Sequence, residues 1–380
     1  MIYLDYNATT PCDPAVVEAM LPYFSVKFGN AASKTHPYGW IADEGVEQAR
    51  KQLAVLLKAE PQEIVFTSGA TEGCNLALKG VYEMYAAKGK HIITVATEHK
   101  AVLDTCRQLE RKGAEITRLE VNEDGLIDLD QLVTAIRPDT ILIAVMYANN
   151  ETGVIQPIAA IGRLAREHGV LFFTDATQAA GKLPMDVHHD QVDILALSAH
   201  KFYGPKGVGA LYIRRRDPRV RLMAQIDGGG HERGFRSGTL NVPGIVGLGK
   251  AAVLAMDNMT GEQERLRRMR DHLERSLLGL EGTVVNGNKE QRMAHVTNLS
   301  FAHVKAERLI AALNSQIAFS VGSACTSASK EPSHVLAAMA LGDGRIKGSI
   351  RLSLGRFTTE AEIEHAIGLI GETVRSAQMV

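Results

Sequence analysis

The stretch Asp193-Ile194-Leu195-Ala196-Leu197-Ser198-Ala199-His200-Lys201 decides the fold, because it is a short apolar run that ends abruptly in polar residues. On both sides of it, short β-branched runs alternate with amphipathic helical stretches. The predicted strands are residues 63–66, 91–95, 115–119, 140–146, 171–175, 194–198 and 209–213. The predicted helices between them are residues 72–84, 101–112, 129–136 and 158–168. This alternation predicts an α/β fold with a mostly parallel seven-stranded sheet covered by helices.

The pattern changes after Gly249. Residues 251–280 form a long, charged helical stretch, and residues 283–286, 295–301, 317–321 and 349–354 follow as strands. We therefore expect a second, smaller α+β domain. The predicted large domain spans residues 14–252, and the predicted small domain combines residues 1–13 with 253–380.

Composition excludes several classes of protein. A chain of 380 residues, 45% of them hydrophobic, can bury a large core. Its 42 Lys and Arg balance 43 Asp and Glu, so no global charge attracts nucleic acid or a membrane. The longest apolar run, residues 141–148, is far too short to span a bilayer, and we expect a cytoplasmic protein. Four scattered cysteines without a CxxC pair predict neither a disulfide framework nor a metal site.

Two strand ends carry the first chemical signal. A lysine at the end of a buried strand, such as Lys201, must reach water or lose its proton, and an unprotonated amine can form a Schiff base. The predicted strand 171–175 ends in Asp175. A carboxylate and a lysine on two such strands suit pyridoxal phosphate, whose ring nitrogen needs an acid and whose aldehyde needs an amine. The alternative for Lys201 alone is a solvated strand end.

Further polar residues follow other predicted strands. Residues 67–72 precede a helix, so a phosphate could meet its N-terminus and the Thr71 hydroxyl; a plain helix cap is the alternative. Ser198 and His200 would add phosphate donors. The other candidates are His99, Asn150 and Gln178, each of which could instead be structural.

These motifs resemble those of the cysteine desulfurases of the NifS/IscS type, fold type I pyridoxal-phosphate enzymes of the class V aminotransferase family. The resemblance covers nearly the whole chain. The motifs that carry it are Tyr3-Leu4-Asp5-Tyr6-Asn7-Ala8-Thr9-Thr10-Pro11, Phe28-Gly29-Asn30, Thr67-Ser68-Gly69-Ala70-Thr71-Glu72, Thr97-Glu98-His99, Asn149-Asn150-Glu151-Thr152-Gly153, Asp175-Ala176-Thr177-Gln178, Ser198-Ala199-His200-Lys201, residues 228–239, Gly322-Ser323-Ala324-Cys325-Thr326-Ser327 and residues 350–356.

The resemblance implies a role for each candidate. Lys201 would hold the cofactor aldehyde, Asp175 the pyridine nitrogen and Gln178 the ring hydroxyl oxygen. His99 would stack on the ring and act in catalysis. Arg351 would bind the substrate carboxylate, helped by Asn150, which also lies among the cofactor ligands. The phosphate would be held by Thr71, Ser198 and His200, and by Thr239 of the neighbouring subunit, which implies a homodimer.

Cys325 lies among small residues in the loop 322–332, so its thiol is expected to travel. The family likeness implies that it takes the sulfur of L-cysteine as a persulfide, releases L-alanine and passes the sulfur to an acceptor protein such as an iron–sulfur scaffold. The chain ends at Val380, before the tail with which housekeeping relatives contact that scaffold.

Other functions compete with this one. A selenocysteine lyase or another class V enzyme would share Lys201 and Asp175. A non-enzymatic sulfur carrier would need the thiol but not the lysine. Iron–sulfur ligation would need clustered cysteines, which this chain lacks.

Overall fold

The computed structural model describes residues 1–321 and 332–379. Its strands are β1 Ile2–Tyr3, β2 Ile64–Thr67, β3 His91–Val95, β4 Glu115–Leu119, β5 Thr140–Ala144, β6 Leu171–Asp175, β7 Ile194–Ser198, β8 Gly209–Ile213, β9 Thr283–Val285, β10 Val296–Phe301, β11 Ile317–Ala318 and β12 Ser349–Ser353. Its helices are α1 Pro14–Met20, α2 Pro22–Ser25, α3 Pro37–Leu57, α4 Ala70–Met84, α5 Lys100–Arg111, α6 Leu129–Ala135, α7 Ile158–Glu167, α8 Val242–Leu278, α9 Ala306–Leu313, α10 His334–Ala338, α11 Asp343–Lys347 and α12 Glu360–Gln378.

The main sheet has seven strands in the order β2-β8-β7-β6-β5-β3-β4. β3 pairs in parallel with β4 and β5, and the parallel pairing continues through β6 to β7. β8 is antiparallel to both of its neighbours, β2 and β7. The predicted α/β fold with a mostly parallel seven-stranded sheet is confirmed. Its consequence is that β2, β3, β5, β6 and β7 all end at one edge of the sheet.

Each face of this sheet is buried under helices. Because side chains alternate along a strand, Phe172 packs on one face and Phe173 on the other. α3, α7 and the first half of α8 cover the first face, while α4 and α5 cover the second. β3, β5, β6, β7 and β8 are buried along their whole length, which explains why they read as continuous apolar runs.

The long helix α8 joins this core to a second one. Its residues Ile245 to Ala255 pack on the main sheet, and Leu266 to Leu277 pack with β10, β12 and α12. The second core holds a three-stranded antiparallel sheet, β12-β10-β9, and the parallel pair β1-β11. α8 begins at Val242, nine residues before the predicted helix, because the Asn241 side chain caps Gly244 N–H and Pro243 suits the first turn. The helix runs unbroken across residue 252, and the division into domains there stays a prediction.

Two strands are shorter than the sequence predicts by two residues or more, and β9, β10 and β12 are each shorter by one. β5 ends at Ala144 instead of residue 146, although Val145 N–H still donates to Phe173 O at 3.1 Å. β11 is only Ile317–Ala318, but Ser320 continues the chain beside β12 through a bridge to Arg351. Across the described ranges, we find no helix that is both long and apolar enough to cross a membrane.

Candidate active site

A cavity of about 490 Å³ lies at the sheet edge where the parallel strands end. This volume is in the range of small-molecule sites. The residues that line it come from loops after β1, β2, β3, β5, β6 and β7, with one contribution from β12: Asn7, Ala8, Thr9, Ser68, Gly69, Ala70, Thr71, Glu72, His99, Ala101, Met146, Ala148, Asn150, Asp175, Thr177, Gln178, Ser198, His200, Lys201, Lys206, Gly207 and Arg351. All the predicted site residues are among them except Thr239 and Cys325.

Lys201 enters the cavity from a short 3₁₀ turn, Ala199–Lys201, that follows β7. Its Nζ donates to the backbone oxygens of Asn7 at 2.6 Å and Ala8 at 2.8 Å. Both acceptors lie just after β1, almost two hundred residues earlier in the chain. The N-terminal segment therefore holds the amine in place, and both of these acceptors are backbone carbonyl oxygens rather than water or a carboxylate.

Asp175 is the last residue of β6 and is 5% exposed. Its Oδ1 accepts from the backbone N–H of Thr177 at 2.9 Å and also from the Thr177 hydroxyl. These two bonds fix the plane of the carboxylate. Gln178 lies one turn further on, and its Nε2 donates to Asn7 O at 3.0 Å. The acid and the amide thus face the same cavity as Lys201.

The N-terminus of α4 forms a second wall. Gly69 precedes it with φ +155°, a backbone conformation that strains any residue with a side chain, and no side chain caps the helix there. A Cβ on Gly69 would lie 3.7 Å from Ser198 Oγ, so a side chain there would extend toward that hydroxyl. The first N–H groups of this fifteen-residue helix, which no described side chain caps, can together with Thr71 and Ser198 bind an anion.

His200 lies beside this anion site with its Nδ1 3.0 Å from Thr9 Oγ1. Burial, with the positive charges of Lys201 and Lys206, lowers the pKa of His200 to about 4. The imidazole is therefore neutral at neutral pH and can act as a neutral hydrogen-bond partner. Lys206 itself lines the cavity and supplies a positive charge that the sequence analysis had not assigned.

His99 caps α5: its Nδ1 accepts from Ala101 N–H at 3.1 Å. This bond orients the half-buried ring at the cavity wall. Asn150 is 9% exposed, and its backbone oxygen accepts from Asn7 Nδ2 at 3.1 Å and from Arg351 at 2.9 Å. Both residues have a structural function as well as a place in the site.

Arg351 reaches the cavity from β12 and is 1% exposed. One of its nitrogens, NH2, donates to Asp5 Oδ1 at 2.5 Å, and NH1 donates to Asn150 O. Its buried Nε has no hydrogen-bond partner among residues 1–321 and 332–379. A buried cationic donor without a partner suits a ligand carboxylate.

The predicted nucleophile Cys325 and its loop, apart from Pro332, lie outside the described residues. The described flanks contact neighbours of cavity residues: Ser320 Oγ donates at 2.9 Å to Asp5 Oδ1, which pairs with Arg351, and Ser333 Oγ donates at 2.5 Å to Glu151 Oε2, next to Asn150. Burial raises the pKa of Cys74 well above its usual value and that of Cys106 to about 12. These two cysteines are protonated and poor nucleophiles.

Thr239 is exposed and does not line the cavity of its own chain. Its segment is nonetheless attached near the anion site, because Arg236 Nε donates to Glu72 Oε1 at 2.9 Å. Although burial acts to raise it, hydrogen bonds from Arg236 and Ser68 lower the pKa of Glu72, so the pair is ionic.

Sequence analysis did not assign Asn7, although it lies in a polar run after an apolar N-terminus. Asn7 O accepts from Lys201 and Gln178, and its side chain bonds Asn150 O and His295. No local pattern could single it out, since its partners are between 143 and 288 residues away.

A lysine amine, a buried carboxylate and an anion site at a helix N-terminus, all at the carboxyl edge of this sheet, define a pyridoxal-phosphate enzyme of fold type I. The family model described as "Aminotransferase class-V" matches residues 2–365. A "Cysteine desulfurase IscS" of Anaeromyxobacter dehalogenans is 58% identical over 98% of this chain and 92% of its own, and one of Dechloromonas aromatica is 56% identical with the same coverage.

Solved structures agree with this result. A "NIFS-LIKE PROTEIN" superposes with a TM-score of 0.92 and 35% sequence identity over the whole of both chains. A NifS-like protein from Rickettsia africae superposes with a TM-score of 0.89 and 31% sequence identity over 99% of each chain. The chain belongs to the class V aminotransferase family, among its pyridoxal-phosphate-dependent cysteine desulfurases. The similarity favours neither a selenocysteine lyase nor another class V activity.

Proposed function

We propose that this protein removes the sulfur from L-cysteine in the cavity around Lys201, leaving L-alanine and a persulfide on Cys325. The observation that carries the proposal is that one cavity joins an amine, a buried carboxylate and an arginine whose buried Nε has no partner among the described residues. Those three groups match the aldehyde and ring nitrogen of the cofactor and the carboxylate of an amino acid. Relatives named cysteine desulfurases supply the choice of amino acid.

The residues present fit pyridoxal phosphate. Lys201 would hold the aldehyde carbon and Asp175 the ring nitrogen, with Gln178 donating to the ring hydroxyl oxygen. Thr71, Ser198 and His200 would hold the phosphate at the start of α4, where glycine at position 69 keeps the approach open. His99 would lie against the ring and Asn150 at its edge. When bound, the cofactor withdraws electrons from the α-carbon of the amino acid.

Substrate orientation would come from Arg351. Its Nε and a second nitrogen can form a bidentate pair with the carboxylate, next to Asn150. This pairing places the α-carbon near Lys201, whose amine is aimed by the carbonyls of Asn7 and Ala8 and can accept the α-proton.

Sulfur transfer would then use the Cys325 thiolate, which attacks the substrate sulfur. A sulfur–sulfur bond forms, the bond between the substrate sulfur and its β-carbon breaks, and its electron pair stays with the carbon skeleton. That skeleton takes up a proton at the β-carbon, regains one at the α-carbon from Lys201, and leaves as L-alanine. The bonds of Ser320 to Asp5 and of Ser333 to Glu151 support this assignment, because Asp5 pairs with Arg351 and Glu151 follows Asn150, so both ends of the loop are held next to residues that line the cavity.

The direct test is an absorbance spectrum of the purified protein before and after L-cysteine, with alanine and sulfide measured in the same tube. We expect a visible cofactor band that changes on mixing, alanine formation, and sulfide release only with a reductant. Cys325→Ser should abolish alanine while keeping the cofactor band, and Cys12→Ser serves as the control. A protein that binds no cofactor, or binds it without reacting with cysteine, would refute the proposal.

We also propose a homodimer in which Thr239 completes the phosphate site of the neighbouring subunit. Exposed apolar side chains on α1 to α3 and their connecting loop could form part of the contact: Leu21, Phe24, Val26, Phe28, Tyr38 and Trp40. A mixture of Lys201→Ala and Thr239→Val subunits tests it. Exchange of subunits between the two variants should restore one intact site in each mixed dimer. The desulfurase activity of the mixture should then exceed the sum of the activities of the two variants measured separately. No gain after exchange, or a monomer by ultracentrifugation, would contradict it.

Sulfur leaving Cys325 needs an acceptor, and an iron–sulfur scaffold protein is the partner that we propose. Transfer of label from ³⁵S-cysteine to a purified scaffold, lost in Cys325→Ser, would support it. We place this activity in the cytoplasm, because the described cysteines Cys12, Cys74 and Cys106 are free thiols. Within the chain, we propose that residues 14–252 form the cofactor domain and that residues 1–13 and 253–380 form the small domain.

A further inference from the structure

A second, smaller cavity lies next to the active site and has no part in the proposed chemistry. Its volume is about 20 Å³, room for roughly one water molecule. Lys182 and His295 line it together with two phenols, Tyr6 and Tyr203, and with Glu262. A lysine and a histidine side by side in a cavity of this size need an explanation, because both are cations when protonated.

The orientation of the Asn7 amide fixes the proton on His295. Asn7 Nδ2 donates to Asn150 O at 3.1 Å, so the amide oxygen must point the other way. That oxygen lies 2.7 Å from His295 Nε2. An oxygen acceptor requires a donor, and therefore His295 carries its proton on Nε2.

Lys182 approaches the same nitrogen. Its Nζ is 3.3 Å from His295 Nε2 and 3.5 Å from Gln178 Oε1. A neutral amine has a lone pair that faces the Nε2–H without conflict, whereas an ammonium group has only donors. If Lys182 is charged, the conflict is relieved when the proton moves to Nδ1 of His295, and Asn7 then loses its donor.

Asn7 connects the Lys182–His295 pair to the active site through its backbone oxygen. Its backbone oxygen accepts from Lys201 Nζ at 2.6 Å and from Gln178 Nε2 at 3.0 Å. Those are the groups assigned to the cofactor aldehyde and ring hydroxyl under the proposed function, on which this inference rests.

We propose that Lys182 and His295 are positioning residues that act on the active site through Asn7. With Lys182 neutral, His295 donates to the Asn7 amide oxygen, and the Asn7 backbone carbonyl positions the Lys201 amine. With Lys182 charged, His295 no longer donates to Asn7, the carbonyl no longer positions the amine, and turnover falls.

Several charged or titratable groups face Lys182 or His295, namely Lys201, Arg270, Arg351, Glu262, Tyr6 and Tyr203. Glu262, the carboxylate among them, is already paired with Arg356 at 2.9 Å. Burial, followed by the charge of Lys201, lowers the pKa of Lys182 to about 7. Burial, followed by the charge of Lys182, lowers the pKa of His295 well below its usual value. The lysine is thus the group that changes charge near neutrality.

The test compares Lys182→Gln, Lys182→Arg and His295→Gln with wild type, and uses Lys51→Gln on the exposed face of α3 as the control. For each protein, kcat and KM for cysteine and the visible absorbance of the bound cofactor are followed from pH 5.5 to 9. We expect a wild-type kcat that falls about tenfold below pH 7, with little change in KM. Lys182→Gln should flatten the kcat profile and remove the matching absorbance transition. Lys182→Arg should stay at the low-pH level throughout.

His295→Gln separates this route from direct electrostatics. Glutamine places an amide nitrogen near the position of His295 Nε2 and donates to Asn7 whatever the charge of Lys182, because an amide has no second tautomer, so the pH transition should disappear while kcat stays within about threefold. If His295→Gln keeps the wild-type transition, Lys182 acts by charge alone and the inference is wrong. It is also wrong if Lys182→Gln keeps that transition.

Unfolding of the apoprotein supplies a readout that is independent of turnover. The folded-state pKa of Lys182 near 7 lies below the 10.5 of an exposed lysine, so the unfolded chain binds the extra proton between these values and stability rises with pH across that window. Lys182→Gln should lose this rise, and its persistence would contradict the assignment of the charge change to Lys182. Failure of wild type to form alanine would instead refute the proposed function.

Discussion

Replacing Arg351 by lysine isolates the geometry of the substrate site from its charge. Arg351 is 1% exposed, and its guanidinium donates one hydrogen bond to Asp5 and one to Asn150 O. Its Nε has no partner in the described part of the chain. A lysine keeps the positive charge but cannot offer two parallel donors to a carboxylate. The variant should therefore lose about one charge-assisted hydrogen bond to substrate.

Such a bond contributes about 1.5–3 kcal/mol, which corresponds to a loss of roughly 10- to 150-fold in kcat/KM. We expect most of it in KM, because the carboxylate is bound before and during reaction. The assay is alanine formation against L-cysteine concentration, with cofactor occupancy checked by absorbance.

Arg292→Lys is the matched control. Arg292 is also a buried arginine with two bonds to one carboxylate, Glu274, at 2.7 and 2.9 Å, but it lies outside the cavity. It should lose stability and keep its KM. An unchanged KM in Arg351→Lys, or an equal increase in both variants, would refute the assignment of Arg351 to the substrate carboxylate.

Three further predictions concern stability. Gly153→Ala should lower the free energy of unfolding by about 3 kcal/mol, because its Cβ would lie 2.2 Å from Val296 Cγ1 and its φ is +79°. Gly169→Ala has φ +64° but open space around its Cβ, and it should lower the free energy of unfolding by about 1 kcal/mol. Urea unfolding of both variants tests this, and equal losses would contradict the clash. Burial raises the pKa of Glu98 well above the 4.5 of an exposed glutamate, so the contribution of its protonated form to folding stability is complete below pH 4.5 and declines as pH rises; Glu98→Gln should remove that decline in thermal scans from pH 4 to 9, and an unchanged decline would disprove it. Conversely, the pKa of His200 near 4 lies below the 6.5 of an exposed histidine, so stability is lost as pH falls through this window; His200→Gln should reduce the loss, and a parallel curve would count against it.

The sheet and most of the site could be predicted from sequence for one physical reason. In a parallel sheet, strands end at the same edge, so polar residues that directly follow apolar runs must meet there. Asp175 and Lys201 are two such residues, and their meeting in one cavity is confirmed by the structure. The exact ends of the strands could not be predicted. β5 ends at Ala144, for example, although Val145 N–H still donates to Phe173 O of the neighbouring strand.

What the sequence could not predict are partners brought together from distant parts of the chain. Asn7 holds Lys201 through a backbone carbonyl, a group that every residue type has. Lys182 in a turn and His295 just before β10 each look like an ordinary polar residue, and only their 3.3 Å separation suggests the role proposed for them. Thr239 was assigned by family likeness, and its exposure in the single chain leaves that role as a proposal.

The pairing of β1 with β11 has a consequence for how the enzyme is made. Ile2 and Tyr3 can take their places only after Ile317 and Ala318 have been synthesised, and Asp5 then meets Arg351. Lys201 is anchored by the two carbonyls that follow β1. A nascent chain whose main sheet has folded can already bond this segment to the Lys201 turn, because Thr10 N–H donates to His200 O, but it still lacks the strand pair that secures the start of the segment. The order of synthesis therefore leaves Ile2 and Tyr3 without their strand partner until Ile317 and Ala318 have left the ribosome.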